Sequence, residues 1–249
     1  MSRIIDSTKY MPKNKFQDIF ETLKSNICHN VYKDNMLPSE YQLIEEFQCS
    51  RNTVRRAISE LMKFGYVQSI KGKGVIILEP LKHQSEIQLN INDISGIRAL
   101  SVNQKHHIQT KVLSFKTVVI DEKLAFQTNL PINQHAYYIE RLRIIEGYPW
   151  VIDINYFLCD VVKGLTKEIA EQSIYDYIEN DLGLKIVASR RVITIKKANE
   201  RDKEVLEIND YDCVGVLLNN AYMENGKLFE YTETHYSPEH FSFVEFSQK

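Results

Sequence analysis

Residues Ser50 to Gly65 read SRNTVRRAISELMKFG, and this stretch decides the fold of the first part of the chain. Ser50 can accept a hydrogen bond from a free backbone N–H of a first helical turn, and Gly65 suits the left-handed residue that ends a helix. Between them, apolar residues recur at the i, i+3, i+4, i+7 and i+8 positions of one helix face. These are Val54, Ala57, Ile58, Leu61 and Met62. The stretch predicts an amphipathic helix with a marked beginning and end.

The opposite face of this predicted helix is polar and basic. It carries Arg51, Asn52, Arg55, Arg56, Ser59 and Lys63. Arginine can donate two hydrogen bonds to guanine, asparagine can pair with adenine, and any arginine can hold a phosphate. Taken alone, a basic face is more often an ordinary solvated surface. The neighbouring segments decide between the two interpretations.

Two further helices are predicted before the basic one. The first runs from Asn14 to about Asn30, with its apolar residues on one face. The second begins after Ser39, because Gln42 stands three residues on, which is the spacing of a capping box. A short turn then leads into the basic helix at Ser50. Two short helices joined in this way form a helix-turn-helix, whose second helix enters the major groove of DNA.

A hairpin is predicted directly after the basic helix. Two β-rich runs, residues 66–70 and 75–78, flank the turn Lys71-Gly72-Lys73-Gly74. Together with the helices, the hairpin makes a winged helix with Lys71 and Lys73 beside the wing tip. Gly72 leaves room for a close approach to a phosphate or to the minor groove. A solvated turn is the alternative, but its position after a helix-turn-helix favours DNA binding.

Composition indicates two domains with different partners. A chain of 249 residues is long enough for two cores. Residues 1–78 hold 12 Lys and Arg against 8 Asp and Glu, whereas residues 79–249 hold 19 against 25. A basic head on an acidic body suits a polyanion-binding module joined to a module with another task. No membrane-length apolar run, signal peptide or zinc-type cysteine spacing is present, so we expect a cytoplasmic protein without a metal.

The second part of the chain predicts an α+β domain with a mainly antiparallel sheet and flanking helices. β-rich runs flank Glu146-Gly147-Tyr148-Pro149 and again Glu224-Asn225-Gly226-Lys227, which predicts two hairpins and therefore antiparallel pairing. Residues 79–92 are polar and weakly periodic. The predicted organisation is a winged helix over residues 1–78, a linker over 79–92 and an α+β domain over 93–249.

Candidate pocket residues lie on the strands of the second domain. Arg141 and Arg143 share one strand face, because strand side chains alternate. Two guanidinium groups on one face make a clamp for a phosphate or carboxylate, or else two solvated arginines. Asp153 on the partner strand could pair with an arginine or accept sugar hydroxyls. Glu230 and Tyr236 also share a face, which suits a sugar site or solvent equally well.

Several spaced motifs in the first 78 residues resemble the winged-helix head of the GntR family of bacterial regulators. The motifs are Leu37-Pro38-Ser39-Glu40, Ser50 to Ala57, Gly65-Tyr66 and Gly72-Lys73-Gly74. The resemblance implies DNA contacts from Ser39, Arg51, Thr53, Arg55 and Gly72, while Tyr41 stands where many members have arginine. With the rest of the basic face and the wing, the predicted DNA-binding set is Ser39, Arg51, Asn52, Thr53, Arg55, Arg56, Lys71, Gly72 and Lys73.

The second part resembles the UTRA effector-binding domain, which places the chain in the HutC subfamily of GntR regulators. The resemblance rests on residues 138–143, 147–149, 173–175, 182–183 and 236–243. The resemblance implies a chorismate-lyase-like fold, homodimerisation and an effector pocket. Its implied residues are Arg141, Arg143, Asp153, Ser173, Tyr175, Glu230 and Tyr236, with Ser95, Arg98, Ala99 and Leu100 at the phosphate. Asp153 stands where the subfamily commonly has glutamate.

Residues 165–169, 173–179 and 229–233 further resemble the members of the subfamily that repress trehalose operons. This resemblance implies a repressor that binds a palindromic operator as a dimer, with trehalose 6-phosphate as inducer. Another phosphorylated sugar or amino sugar, such as glucosamine 6-phosphate, is the alternative effector. An enzyme acting on a sugar phosphate is the alternative of another class, but no phosphate loop, nucleophile elbow or metal spacing supports it. No cofactor is expected.

Overall fold

A computed structural model describes residues 15–79, 87–90 and 107–244. The described residues fall into two compact units. We call residues 15–79 the head, and residues 87–90 with 107–244 the body. In these described ranges no helix has both the length and the apolar character needed to cross a membrane.

The head contains three helices followed by a hairpin. The helices are α1 (Lys15–Cys28), α2 (Glu40–Phe47) and α3 (Arg51–Lys63), and the strands are β1 (Val67–Ile70) and β2 (Gly74–Ile77). The two strands pair antiparallel, with Val67 opposite Ile77. One apolar core joins the elements, and it includes the fully buried Leu23, Leu43, Val54 and Leu61. The predicted winged helix-turn-helix is confirmed.

Both predicted helix starts in the head have the expected caps. At α2, the Ser39 hydroxyl accepts a hydrogen bond from Gln42 N–H, and the Gln42 side chain accepts one from Ser39 N–H. At α3, the Ser50 hydroxyl accepts a hydrogen bond from Thr53 N–H. Gly65 follows α3 with a φ of +71°, a left-handed conformation that glycine adopts without strain. The caps therefore set where the basic face begins and ends.

The body is built on a six-stranded antiparallel sheet with the strand order β4-β5-β6-β9-β8-β7. Its strands are β4 (Ile108–Val119), β5 (His135–Ile145), β6 (Tyr148–Leu158), β7 (Ile186–Lys197), β8 (Cys213–Met223) and β9 (Leu228–Tyr236). Both predicted hairpins are present, as β5–β6 and β8–β9. The predicted fold class is confirmed.

Helices cover both faces of the sheet. They are α4 (Glu122–Thr128), α5 (Lys167–Ala170), α6 (Ile174–Asp176), a π-helical turn at Tyr177–Asp181 and α7 (Glu200–Val205). On one face, α5, α6 and the π turn pack over Val112, Ile139 and Phe157. On the other face, α4 packs near Leu158, and α7 packs near Ile152.

A strand lies inside the segment that the sequence predicted as a linker. β3 (Ile87–Asn90) pairs in parallel with β10 (Phe241–Val244), near the other end of the chain. Residues 79–92 are therefore not a linker throughout. The apolar alternation of Ile87 and Leu89 was visible in the sequence, but a partner more than a hundred residues away was not.

A buried charged cluster lies on the sheet face opposite α5 and α6. His235 Nδ1 lies 2.7 Å from Asp202 of α7, and its Nε2 lies 2.9 Å from Glu233, which also binds Lys196. Both ring nitrogens face carboxylates, so the protonated imidazolium fits this site. Burial alone would lower the pKa of His235, but the hydrogen bonds to Asp202 and Glu233 raise it to about 9. The cluster ties α7 to the sheet.

The raised pKa of His235 predicts a stability that falls at alkaline pH. The unfolded chain has the ordinary histidine pKa of about 6.5, so the contribution is complete below that pH and is lost as the pH rises towards 9. We expect roughly 2–3 kcal/mol less free energy of unfolding at pH 9.5 than at pH 6, and a much smaller loss in His235→Gln. Urea unfolding at both pH values measures this. His135→Gln, at an exposed position, is the matched control, and an equal loss in all three proteins would contradict the assignment.

Candidate nucleic-acid interface and ligand pocket

The exposed face of α3 presents the predicted basic residues to solvent. Arg51, Asn52, Arg55 and Arg56 are all exposed, whereas Thr53 is half-buried with its hydroxyl 2.8 Å from that of Ser50. Arg51 and Arg55 are one turn apart and so lie on the same stripe of the helix. Exposed guanidinium groups on one helix stripe have the hydrogen-bond donors needed to contact bases or phosphates.

Glu40 holds the two arginines of that stripe, which the sequence interpretation missed. Its carboxylate oxygens lie 2.9 Å and 3.1 Å from Arg55 Nε, and 3.5 Å separates the carboxylate from Arg51 Nε. All three side chains are partly solvent-exposed, so these ion pairs add little to stability. Their effect is to orient the guanidinium groups. Glu40 is the first residue of α2, and its distance in sequence from Arg55 hid the contact.

Arg56 differs from its neighbour Arg55. Its guanidinium carbon lies 3.7 Å from the centroid of the Phe16 ring, so it stacks on the side chain of a residue in α1. The Ser39 hydroxyl is likewise engaged, in the cap of α2. The structure brings Arg51 and Arg55 together and places Arg56 towards α1.

The wing tip is exposed as predicted from the sequence. Lys71, Gly72 and Lys73 are all exposed, and Gly72 has a φ of +80° with open space around the position of a Cβ. A side chain at this position would be strained by the backbone conformation. The two lysines beside a bare backbone form a surface suited to phosphates.

A cavity of about 690 Å³ lies on the α5–α6 face of the body sheet. Its walls include seven residues predicted from the sequence: Arg141, Arg143, Asp153, Ser173, Tyr175, Glu230 and Tyr236. Ser173 caps α6 through its hydroxyl, as its position at a helix start suggested. The four other predicted effector residues, Ser95, Arg98, Ala99 and Leu100, lie outside the described residues.

One wall of the cavity is a charged network centred on Asp153. Its Oδ2 accepts a hydrogen bond from Arg143 Nε at 2.8 Å and lies 3.5 Å from Arg141 Nη2. Its Oδ1 accepts a hydrogen bond from Thr234 at 2.8 Å, and Arg143 also donates to Thr110. The side chains of Asp153 and both arginines are nearly buried. The alternative of two solvated arginines is therefore wrong.

A second network runs from Arg141 across the sheet to α6. Arg141 Nε donates to Asn155 Oδ1 at 2.9 Å, and Asn155 Nδ2 donates to Thr232 at 2.7 Å. Thr232 in turn donates to Glu230 at 2.6 Å, and the Tyr175 hydroxyl donates to the other Glu230 oxygen. A chain of hydrogen bonds thus links Arg141 to the Glu230 carboxylate within the pocket lining.

Comparison with known proteins identifies both units. Residues 15–77 match the family described as bacterial regulatory proteins, gntR family, and residues 103–242 match the UTRA domain. The chain is 32% identical to the HTH-type transcriptional regulator TreR of Bacillus subtilis, over 96% of this chain and 99% of that protein. The chain belongs to the GntR family and carries a UTRA domain. The matched regulators also confirm the prediction that it is not an enzyme.

Solved structures agree with this assignment. The effector-binding domain of the B. subtilis trehalose repressor TreR is 33% identical, covers 57% of this chain and 98% of its own, and superposes with a TM-score of 0.52. The possible transcriptional regulator YydK of B. subtilis is 24% identical over 94% of this chain and 99% of its own, with a TM-score of 0.75. YydK shows that the fold is shared along nearly the whole chain.

Burial and neighbouring charges shift the acidity of the groups in the UTRA pocket. Burial opposes ionisation of Asp153, but Arg143 and Arg141 hold the pKa of its carboxyl below the ordinary value. Burial raises the pKa of the Glu230 carboxyl, against the hydrogen bonds from Thr232 and Tyr175. Burial and then the charge of Arg143 lower the pKa of Arg141 to about 9. The pocket therefore combines an ionised Asp153 with two buried guanidinium groups close enough for the charge of one to affect the other.

Several UTRA pocket residues escaped the sequence interpretation. They are Thr110, Asn155, Arg191, Asn219, Thr232 and Thr234. A usable signal existed for three of them, because Asn155 is two residues from Asp153, and Thr232 and Thr234 alternate between Glu230 and Tyr236. Alternation places each of these on the predicted pocket face. For Arg191 and Asn219, the strand order that brings β7 and β8 beside β9 had to be known, and for Thr110 the pairing of β4 with β5.

Proposed function

We propose that this GntR regulator is a repressor that binds a palindromic operator as a homodimer and is released by a phosphorylated sugar, with trehalose 6-phosphate as the first candidate. The observation that carries the proposal is the UTRA pocket, whose lining combines two nearly buried arginines with Glu230 and Tyr175. DNA binding by the head does not need such a pocket, so we infer that the pocket serves to bind a small-molecule effector.

The head supports the DNA-binding part of the proposal. Arg51 and Arg55 form an exposed stripe oriented by Glu40, and Lys71 and Lys73 flank the wing tip. A two-fold dimer would place two such helices in successive major grooves of a palindromic site. Arginine donors to guanine supply sequence recognition, and the wing lysines supply affinity for phosphates.

The pocket chemistry supports a phosphorylated sugar. A cavity of about 690 Å³ has the size of a small-molecule site. Guanidinium groups bind phosphate through paired hydrogen bonds, while the Glu230 carboxylate and the Asn219 amide suit sugar hydroxyls. Trehalose is suggested because the body resembles the effector-binding domain of the trehalose repressor of B. subtilis, to which this chain is 33% identical.

A phosphorylated amino sugar such as glucosamine 6-phosphate is the second candidate. Three carboxylates, those of Glu171, Asp176 and Asp181, also line the pocket. They face a cavity whose opposite wall carries the arginines, so a ligand with one ammonium and one phosphate would match both walls. A disaccharide phosphate without an amino group would use the same carboxylates as hydroxyl acceptors.

The proposed mechanism is a shift between two states of the dimer. A ligand lowers operator affinity only if it binds more tightly to the state that fits DNA poorly. Binding in the UTRA pocket would favour a state in which the spacing of the two heads no longer matches the two half-sites. The coupling typical of such regulators changes affinity by roughly 5- to 150-fold.

Fluorescence anisotropy tests the proposed function. A duplex selected from a random pool by the wild-type protein is labelled, bound and titrated with trehalose 6-phosphate, glucosamine 6-phosphate, trehalose or inorganic phosphate. We expect trehalose 6-phosphate to release the duplex at lower concentration than the other three. Release by glucosamine 6-phosphate alone would favour the second candidate, and release by none of them would contradict the proposal.

A further inference from the structure

Arg141 and Arg143 are held in different ways, although they are neighbours on one strand face. Arg143 Nε donates to the carboxylate of Asp153 at 2.8 Å, whereas Arg141 Nε donates to the neutral amide of Asn155 at 2.9 Å. The nearest approach of Arg141 to Asp153 is 3.5 Å. The negative charge of Asp153 therefore lies closer to Arg143, and Arg141 is balanced only by the more distant charges of Asp153 and Glu230.

The surrounding donors and acceptors determine the orientation of the Asn155 amide. Arginine can only donate, so Asn155 must present its carbonyl oxygen to Arg141. Its NH₂ group then donates to Thr232, whose hydroxyl donates onward to Glu230. Asn155 is 1% exposed, which excludes bulk water as a substitute partner. An asparagine fits this position because it accepts from one side and donates to the other.

A buried guanidinium held by a neutral partner is a suitable site for an anion. Arg141 is 6% exposed, its Nε is occupied and its Nη2 lies 3.5 Å from Asp153, so the terminal Nη1–Nη2 edge is what it can offer to a ligand. That edge has the paired geometry that matches two oxygens of a phosphate. Burial of an incompletely neutralised charge is unfavourable, and an arriving anion removes that cost. The lowered pKa of Arg141 is consistent with such a site.

We propose that Asn155 is a positioning residue that orients Arg141 without neutralising it, so that Arg141 supplies the pocket's cation for the phosphate of the effector. This inference rests on the proposed function, in which the effector is a phosphorylated sugar. It names Asn155 as the residue that would make the UTRA pocket prefer a phosphorylated sugar to an unphosphorylated one. A carboxylate at position 155 would keep the same shape and cancel the charge. The choice between amide and carboxylate at this one position would then decide between phosphorylated and unphosphorylated sugars.

The test compares the wild type with Asn155→Asp by isothermal titration calorimetry of the full chain with trehalose 6-phosphate and, separately, with inorganic phosphate. We expect the affinity for both to fall by about tenfold or more in Asn155→Asp. The thermal unfolding temperature without ligand should fall in Asn155→Asp, because the hydrogen bond to Thr232 is lost, and the new ion pair with Arg141 should offset only part of that loss. A merely structural role for Asn155 would lower ligand affinity no more in Asn155→Asp than in Asn155→Ser, which loses the same hydrogen bond without adding a charge.

Two further variants keep the test decisive. Asn219→Asp adds the same charge to the same cavity, but beside Arg191 rather than Arg141, and we expect it to lose much less phosphate affinity. Asn155→Ser, which adds no charge, covers the case in which Asn155→Asp does not fold. It should weaken phosphate binding severalfold by releasing Arg141 Nε.

The outcomes separate this inference from the proposed function. If Asn155→Asp kept wild-type affinity for trehalose 6-phosphate, or if Asn219→Asp lost as much affinity for inorganic phosphate as Asn155→Asp, the role of Asn155 would be overturned and the proposed function left intact. Binding of inorganic phosphate that depends on Asn155, without binding of trehalose 6-phosphate, would support the anion site and reject the proposed effector. If the wild type bound neither probe, both would be overturned.

Discussion

Arg143→Met should lower the free energy of unfolding of the UTRA domain by about 3 kcal/mol, the lower end of the range for breaking a buried ion pair. Asp153 is 4% exposed and accepts its shortest charged hydrogen bond from Arg143. Without Arg143 it keeps Thr234 and the more distant Arg141, which limits the loss. Urea unfolding of the full chain, followed by the far-UV signal of the sheet, measures the change.

The double variant Arg143→Met with Asp153→Leu is the control for this prediction. Removing both charges leaves no stranded carboxylate, so most of the lost stability should return. If the double variant were no more stable than Arg143→Met, the loss in Arg143→Met would not come from a buried Asp153 carboxylate left without its partner. This control also matters for ligand assays, because loss of effector response in an Arg143 variant has to be separated from loss of the fold.

Arg55→Ala should weaken binding to the selected operator by about 1–3 kcal/mol, or roughly 5- to 150-fold, and reduce discrimination against a scrambled duplex. Arg55 is exposed on the stripe of α3 that it shares with Arg51, and Glu40 holds its Nε. Removing it deletes one base-reading group and leaves the Glu40 carboxylate nearer to the DNA. Anisotropy with both duplexes at one salt concentration gives the two affinities.

Arg56→Ala is the matched control for Arg55→Ala. It removes the same side chain from the next position, but Arg56 stacks on Phe16. We expect a smaller loss that is nearly equal for the operator and the scrambled duplex, as a phosphate contact would give. Equal loss of discrimination in the two variants would show that the Arg51–Arg55 stripe is not the reading surface.

Much of the head could be predicted because its signals are local. The predicted limits of the first helix, Asn14 and about Asn30, enclose the observed α1, and the caps at Ser39 and Ser50 are where the sequence placed them. Caps and helical periodicity depend on residues within one or two turns. The contact of Glu40 with Arg55 depends instead on how two helices pack, and no local pattern encodes it.

The pocket shows the same limit on the scale of a sheet. Alternation correctly placed Arg141 with Arg143, and Glu230 with Tyr236, on the pocket face. It did not show that β9 lies between β6 and β8, which is what brings Thr232 to Asn155 and Thr234 to Asp153. The pairing of β3 with β10 is another contact between distant segments, and it placed a strand within the predicted linker.

Reciprocal titration tests whether effector binding in the UTRA pocket is coupled to operator binding by the head. The affinity of the wild-type protein for trehalose 6-phosphate is measured by calorimetry with and without saturating operator, and the affinity for operator with and without saturating trehalose 6-phosphate. We predict that both fall by the same factor, at least about fivefold, because linkage is reciprocal. Tight binding of both ligands with neither affinity changed would contradict the account.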